Sequence, residues 1–258
     1  AWAVSPDVPA GDGAHARSGG GGFIWAGRLL WITGRAGGAA DYPAVMSENG
    51  LTAARTKMRD AGVAQQAIDV FTHYYTQLEG GATGLIPEET IEPLTRIDSI
   101  DGAAIDEDAA REALDRTALI KLNGGLGTSM GMDRAKSLLP VRDGRTFLDL
   151  LVDQVMAARR RHGVRLPLIF MDSFRTRADT LAPLAARPGI GVDGLPLDFL
   201  QNREPKLRAD DLSPVEWPAD PELEWCPPGH GDIYTALMAS GVLDALLERG
   251  YRYAMTAN

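Results

Sequence analysis

The chain has 258 residues, 45% of them hydrophobic and 24% charged, enough apolar side chains for the core of one large domain or a domain with an appendage. A formal net charge of -9 argues against a nucleic-acid binder that relies on broad phosphate attraction. The single cysteine, Cys226, excludes an intrachain disulfide and a cysteine-rich metal site.

Residues 1–45 differ from the rest: they hold Gly19 to Gly22 in a row and no pattern able to bury one face. Met46 reads as the natural start, with 1–45 a disordered or non-native leader. The run Phe23 to Ile32 is the nearest approach to a membrane segment. It is short and carries Arg28, well under the roughly 18 apolar residues a bilayer span needs. No membrane partner is therefore expected, and the lone cysteine fits a reducing cytoplasmic setting.

A helical segment is expected over 46–116. Met58, Ala61, Val63, Ala67, Ile68, Val70 and Phe71 recur at helical spacing between Thr52 and Gln77, and Gly62 divides the pattern into two helices. A loop over Gly80 to Pro87 leads to Glu88 and Glu89 as acidic first-turn residues. Ile105 to Arg116 predicts a further helix, with Asp106 and Asp108 near its start.

From residue 117 onward strands alternate with helices, the pattern of a parallel sheet with crossover helices. Ala118 to Lys121 predicts a buried strand, Thr146 to His162 a helix and Leu166 to Met171 a strand. Ala178 to Ala186 predicts a helix, Leu197 to Gln201 a strand, Asp232 to Arg249 one long helix, and Tyr251 to Thr256 a strand. Arg159, Arg160, Arg161 and His162 close their helix at its carbonyl end, where cations are favoured. The first strand opens into Leu122-Asn123-Gly124-Gly125-Leu126-Gly127-Thr128-Ser129-Met130-Gly131, with Lys136-Ser137 five residues on. Glycines there permit positive φ and bring N–H groups close to an anion. A tight turn alone would use the same residues. The run fits neither a Walker loop, because Ala135 precedes Lys136, nor a dinucleotide fingerprint, because Met130 stands at its third glycine position.

The run resembles the signature of eukaryotic-type UTP–glucose-1-phosphate uridylyltransferases, also called UDP-glucose pyrophosphorylases. Further matches follow in the family's order: Phe170-Met171-Asp172-Ser173-Phe174-Arg175-Thr176, Phe199-Leu200-Gln201-Asn202, and Trp225-Cys226-Pro227-Pro228-Gly229-His230-Gly231-Asp232. Met132-Asp133-Arg134-Ala135 departs from the usual Cys-Lys-Gly-Pro, and Asp172 replaces the usual Asn. The resemblance covers roughly residues 50–258. It implies an α/β fold with a Rossmann-like, GT-A-like nucleotide-diphospho-sugar transferase sheet, mixed in direction and flanked by helices, over 117–258.

The reaction so implied joins UTP and glucose 1-phosphate into UDP-glucose and pyrophosphate, with Mg2+ bridging phosphate oxygens. Leu122, Asn123, Gly124 and Gly125 would hold the nucleotide, and Lys136 would neutralise the triphosphate as the catalytic cation. Gln201 carries a carbonyl and an NH2 that match a uracil edge. Gly229 would let the backbone approach the base, and His230 would contact the sugar phosphate or the nucleotide. Met171 lies near the uracil in the implied site, or is a core methionine. Asp232 reads as the N-cap of the next helix. Asn258 closes the last strand, and the family's metal-holding Asp is expected two residues beyond it, so the 258-residue polypeptide alone is expected to be inactive. A pyrophosphorylase for UDP-N-acetylhexosamine or several UDP-sugars, and a non-catalytic uridine-nucleotide module, are the alternatives.

Overall fold

A computed structural model describes residues 48–257 other than 98, 100, 102 and 103, together with three backbone strands nearer the N-terminus. Those strands are β1 (Trp2–Ala3), β2 (Gly22–Trp25) and β3 (Arg28–Ile32), paired in the order β1-β3-β2. Asn258 lies outside the described residues.

The chain divides into two compact units, one formed by 1–91 with 202–235 and the other by 92–201 with 236–258. In the first, α1 (Glu48–Asp60) and α2 (Gln65–Glu79) are separated at Gly62, as the sequence predicts. Gly62 adopts φ +71°, and Val63 N bonds back to Met58 O at 3.0 Å. This left-handed helix stop is one that glycine enters without a Cβ penalty. Ala54, Met58, Ile68, Phe71 and Tyr75 line the facing sides of the two helices and bury Leu207, from the distant 202–235 segment, against them. Lys57 pairs with Glu224 and also donates to Val215 O at 2.7 Å. That ion pair holds the Glu224 carboxyl below its ordinary range. In the same segment β9 (Glu204–Pro205) pairs antiparallel with β10 (Trp225–Cys226). The Cys226 thiol is packed at 3% exposure.

The second unit carries the sheet. After α3 (Glu107–Asp115), capped by the Asp106 carboxylate, come β4 (Thr117–Leu122), α4 (Phe147–His162), β7 (Leu168–Asp172), α5 (Arg177–Ala185) and β8 (Asp198–Leu200). A small hairpin of β5 (Pro140–Arg142) and β6 (Arg145–Thr146) precedes α4. Thr146 and Asp149 start α4 with a reciprocal capping box, and Gly163 at φ +63° ends it. Arg159 from its last turn donates to Leu166 O and Gly189 O, so it ties the helix end to two loops rather than only meeting solvent. Leu148, Val152, Val155, Leu168, Phe170 and Leu184 form the core between α4, α5 and β7.

The predicted long helix over Asp232 to Arg249 is broken. A 3-10 turn at His230–Asp232 runs into α6 (Ile233–Ala239), and α7 (Val242–Glu248) follows. Gly241 at φ +74° stops the first helix, and Ser240 Oγ bonds back to Leu237 O at 3.2 Å. A Ser-Gly pair within an otherwise periodic run is a break signal that the apolar spacing masks.

The last strand, β11 (Tyr253–Ala257), lies beside β4, giving the order β11-β4-β7-β8 with every pairing parallel. This four-stranded sheet, expected to be mixed in direction, is thus parallel throughout, and antiparallel strand pairing among the described residues is confined to the small separate sheets. Successive strands run outward on one side of β4 and the last returns on its other side. The order reverses between β4 and β11, and crevices for ligands open at the carboxyl ends of strands at such a point.

Candidate functional site

The glycine run leaves the carboxyl end of β4 at that reversal. Leu122 pairs with Met171, and Asn123 N continues the ladder to Met171 O at 2.8 Å. The chain then doubles back: Gly127 N donates to Arg134 O at 3.0 Å, Leu126 bridges Ala135, and Lys136 N donates to Gly125 O at 3.1 Å. Ala135 N is anchored by Asp179 of α5 at 3.2 Å. The fold-back places Lys136 directly beside Gly125, with its side chain exposed and in no ion pair among the described residues. The short separation between loop and lysine in sequence is therefore a close approach in space.

Gln201 reaches the same loop from the end of β8. Its N–H donates to Asp172 O at 2.8 Å, and its side-chain amide lies against Gly124. A Cβ on residue 124 would stand 2.8 Å from Gln201 Cδ and 2.9 Å from Nε2, closer than real Cβ atoms approach. The absence of a Cβ at 124 is what lets the Gln201 amide lie there.

Beneath the loop a polar network is closed off from solvent. Asn123 is only 5% exposed, and its amide donates to Asp172 Oδ1 at 2.8 Å and to Thr180 Oγ1 at 2.7 Å. Thr180 Oγ1 lies 2.8 Å from the same carboxylate oxygen. Burial pushes the Asp172 carboxyl up to about 6, against the bonds from Asn123 and Thr180 that favour its charged form. Both amide hydrogens of Asn123, one of the residues expected to hold the nucleotide, point inward, which leaves its backbone to face the loop. Asp172 and Thr176 lie within the Phe170 to Thr176 run, whereas no motif in the sequence marks Thr180. The cue was available: Asp172, Thr176 and Thr180 are spaced by four residues across a strand end and the following helix.

Met171 is 2% exposed in β7, buried as a core methionine would be. Gly229 and His230 belong to the first unit. Gly229 has φ +103° and ψ -179°, a conformation essentially reserved for glycine, and His230 after it is exposed. The Asp232 carboxylate is fully buried and accepts from Asn202 N at 2.6 Å and from its Nδ2 at 2.8 Å. It thus pins the residue that follows Gln201. No group of three or more His, Cys, Asp or Glu side chains suited to a metal ion occurs among the described residues.

Comparison with known proteins agrees with the loop and sheet. A family model described as UTP--glucose-1-phosphate uridylyltransferase matches residues 68–258. The chain is 42% identical over 159 residues to a UTP--glucose-1-phosphate uridylyltransferase from Solanum tuberosum, covering 60% of this chain and 33% of that protein. It is 39% identical over 176 residues to one from Musa acuminata, covering 67% and 37%. Among solved structures, a mutant UDP-glucose pyrophosphorylase from Leishmania major in complex with UDP-glucose superposes with TM-score 0.75 at 41% identity, covering 83% of this chain and 44% of that one. The chain thus spans about a third of the length of these curated relatives and under half that of the solved neighbour. On the matched span and the identities together, the chain belongs to the UTP–glucose-1-phosphate uridylyltransferase family.

Proposed function

We propose that this chain supplies the uridine-nucleotide half of an enzyme that makes UDP-glucose and pyrophosphate from UTP and glucose 1-phosphate. The observation that carries the reading is the packing of the Gln201 amide on Gly124, at the carboxyl end of a parallel sheet where the strand order reverses. A planar amide laid against a glycine that has no side chain to displace it offers a donor and an acceptor to a pyrimidine edge. Lys136, folded back onto Gly125, brings a mobile point charge to the phosphates.

In the proposed reaction a phosphate oxygen of glucose 1-phosphate attacks the α-phosphorus of UTP. The bond from that phosphorus to the bridging oxygen breaks, and pyrophosphate departs with the electron pair. Such a transfer needs no protein nucleophile; alignment and neutralisation of charge are the protein's contribution. The glycine loop and Gln201 orient the nucleotide, and Lys136 offsets charge on the leaving group. His230 is proposed as a contact to the sugar phosphate or nucleotide. Magnesium, when bound, would neutralise phosphate oxygens; the described residues present no cluster of three or more His, Cys, Asp or Glu for it.

Calorimetric titration of the purified chain with UTP and with UDP-glucose tests the reading. Saturable binding of both is expected. Absence of heat with either, from protein that circular dichroism confirms as folded, would overturn it.

A further inference from the structure

Asn123 and Gln201 follow different strands, β4 and β8, yet one residue between them holds both. The main-chain carbonyl of Asp172, at the end of β7, accepts from Gln201 N at 2.8 Å. Its carboxylate Oδ1 accepts from Asn123 Nδ2 and from Thr180 Oγ1, each at 2.8 Å, with Thr176 Oγ1 at 3.4 Å. Asp172 is 0% exposed, so it can reach a ligand only through these partners. Its other oxygen, Oδ2, is buried with no hydrogen-bond partner among the described residues.

We propose that Asp172 is a positioning residue for the nucleotide, its buried charge gripping Asn123 at the mouth of the glycine loop while its main chain sets Gln201. This rests on the uridine-nucleotide reading above. The charged groups bearing on it are Asp198 of β8, which disfavours its ionisation, and Arg177 of α5, which pairs with Asp198 at 2.7 Å. The partners from β4 and α5 that touch the carboxylate are neutral. Ionised, Asp172 holds Asn123 by a charge-assisted bond; protonated, by a weaker neutral one. With burial placing its titration at about 6, the grip loosens as pH falls through that value. In Asp172→Asn the amide oxygen can take the Oδ1 position and the NH2 the unpartnered one, so the shape is kept and the charge removed.

The test compares UTP affinity of the purified wild-type chain and Asp172→Asn at pH 7.5 and pH 5.0. Taking the ratio of the two proteins at each pH cancels titration of the nucleotide phosphate and of groups common to both. The wild type is expected to bind about five-fold more tightly at pH 7.5, and the ratio to approach one at pH 5.0. In nucleotide-free protein, Asp172→Ala is expected to speed amide exchange in a peptide covering Asn123 to Gly127 and leave the α4 peptide unchanged. Thr180→Val removes a hydroxyl from the same network and is expected to do likewise, should the alanine variant not fold. A ratio that ignores pH, or unchanged loop exchange in the folded variants, overturns the proposal. Failure of the wild type to bind UTP at either pH defeats the uridine reading instead, and the exchange measurement then decides the positioning role alone.

Discussion

The amide of Gln201 occupies the volume that a side chain on residue 124 would need: a Cβ there would stand 2.8 Å from Cδ and 2.9 Å from Nε2. The obstacle is the end of a flexible side chain, so Gly124→Ala is expected to fold and to push the amide aside. Losing one or two neutral hydrogen bonds to the base weakens UTP binding about ten-fold, with the melting temperature nearly unchanged. Calorimetry and thermal unfolding of the same preparation read both quantities.

Lys136 is exposed, so its removal leaves stability unaffected. Lys136→Ala is expected to lower UTP affinity by roughly ten- to a hundred-fold, the range of a hydrogen bond to a charged group. Binding of uridine, which has no phosphate, should be unchanged. Titrating both ligands separates the lysine's charge from any general damage to the loop.

Asp172 gives a pH-dependent stability whose sign is opposite to that of a salt-bridged carboxylate. Its folded-state pKa, about 6, lies above the ordinary carboxyl value of 3.8. The folded state therefore binds the proton more tightly, and the stability from this group is present below about pH 4 and lost as pH rises through about 6. Asp172→Asn is expected to stabilise the fold above pH 6 by on the order of 3 kcal/mol, and the gain should fade as pH falls towards 4. Urea midpoints of both proteins across pH 4 to 7.5 measure it.

Gly229 at φ +103° tolerates no Cβ without strain. Gly229→Ala is expected to cost about 1–3 kcal/mol of stability, read as a lower urea midpoint. His230→Ala next to it, exposed, should leave the midpoint in place.

The elements that are legible in the sequence are local ones. Gly62 stops α1 and Thr146 with Asp149 starts α4 through contacts within a few residues. The all-apolar Leu168 to Met171 could only be an interior strand. The parts that escaped are long-range, apart from one local break at Gly241. Leu207 packs among Ala54, Met58 and Phe71, which no linear division of the chain at residue 116 conveys. Gly241 splits a run whose apolar spacing reads as one helix. At the site, the glycines and Gln201 were recognisable by motif. The inward turn of Asn123 was not, since it depends on a carboxylate 49 residues away.

The central claim is that Gln201 and the glycine loop select a uridine nucleotide. The most direct measurement is competitive titration of the purified chain with UTP, CTP and ATP, repeated on Gln201→Ala. Clear preference for UTP is expected in the wild type and its collapse in the variant, with residual triphosphate binding retained through Lys136. Equal affinity for the three nucleotides in the wild type, or a UTP preference that survives removal of Gln201, would contradict it.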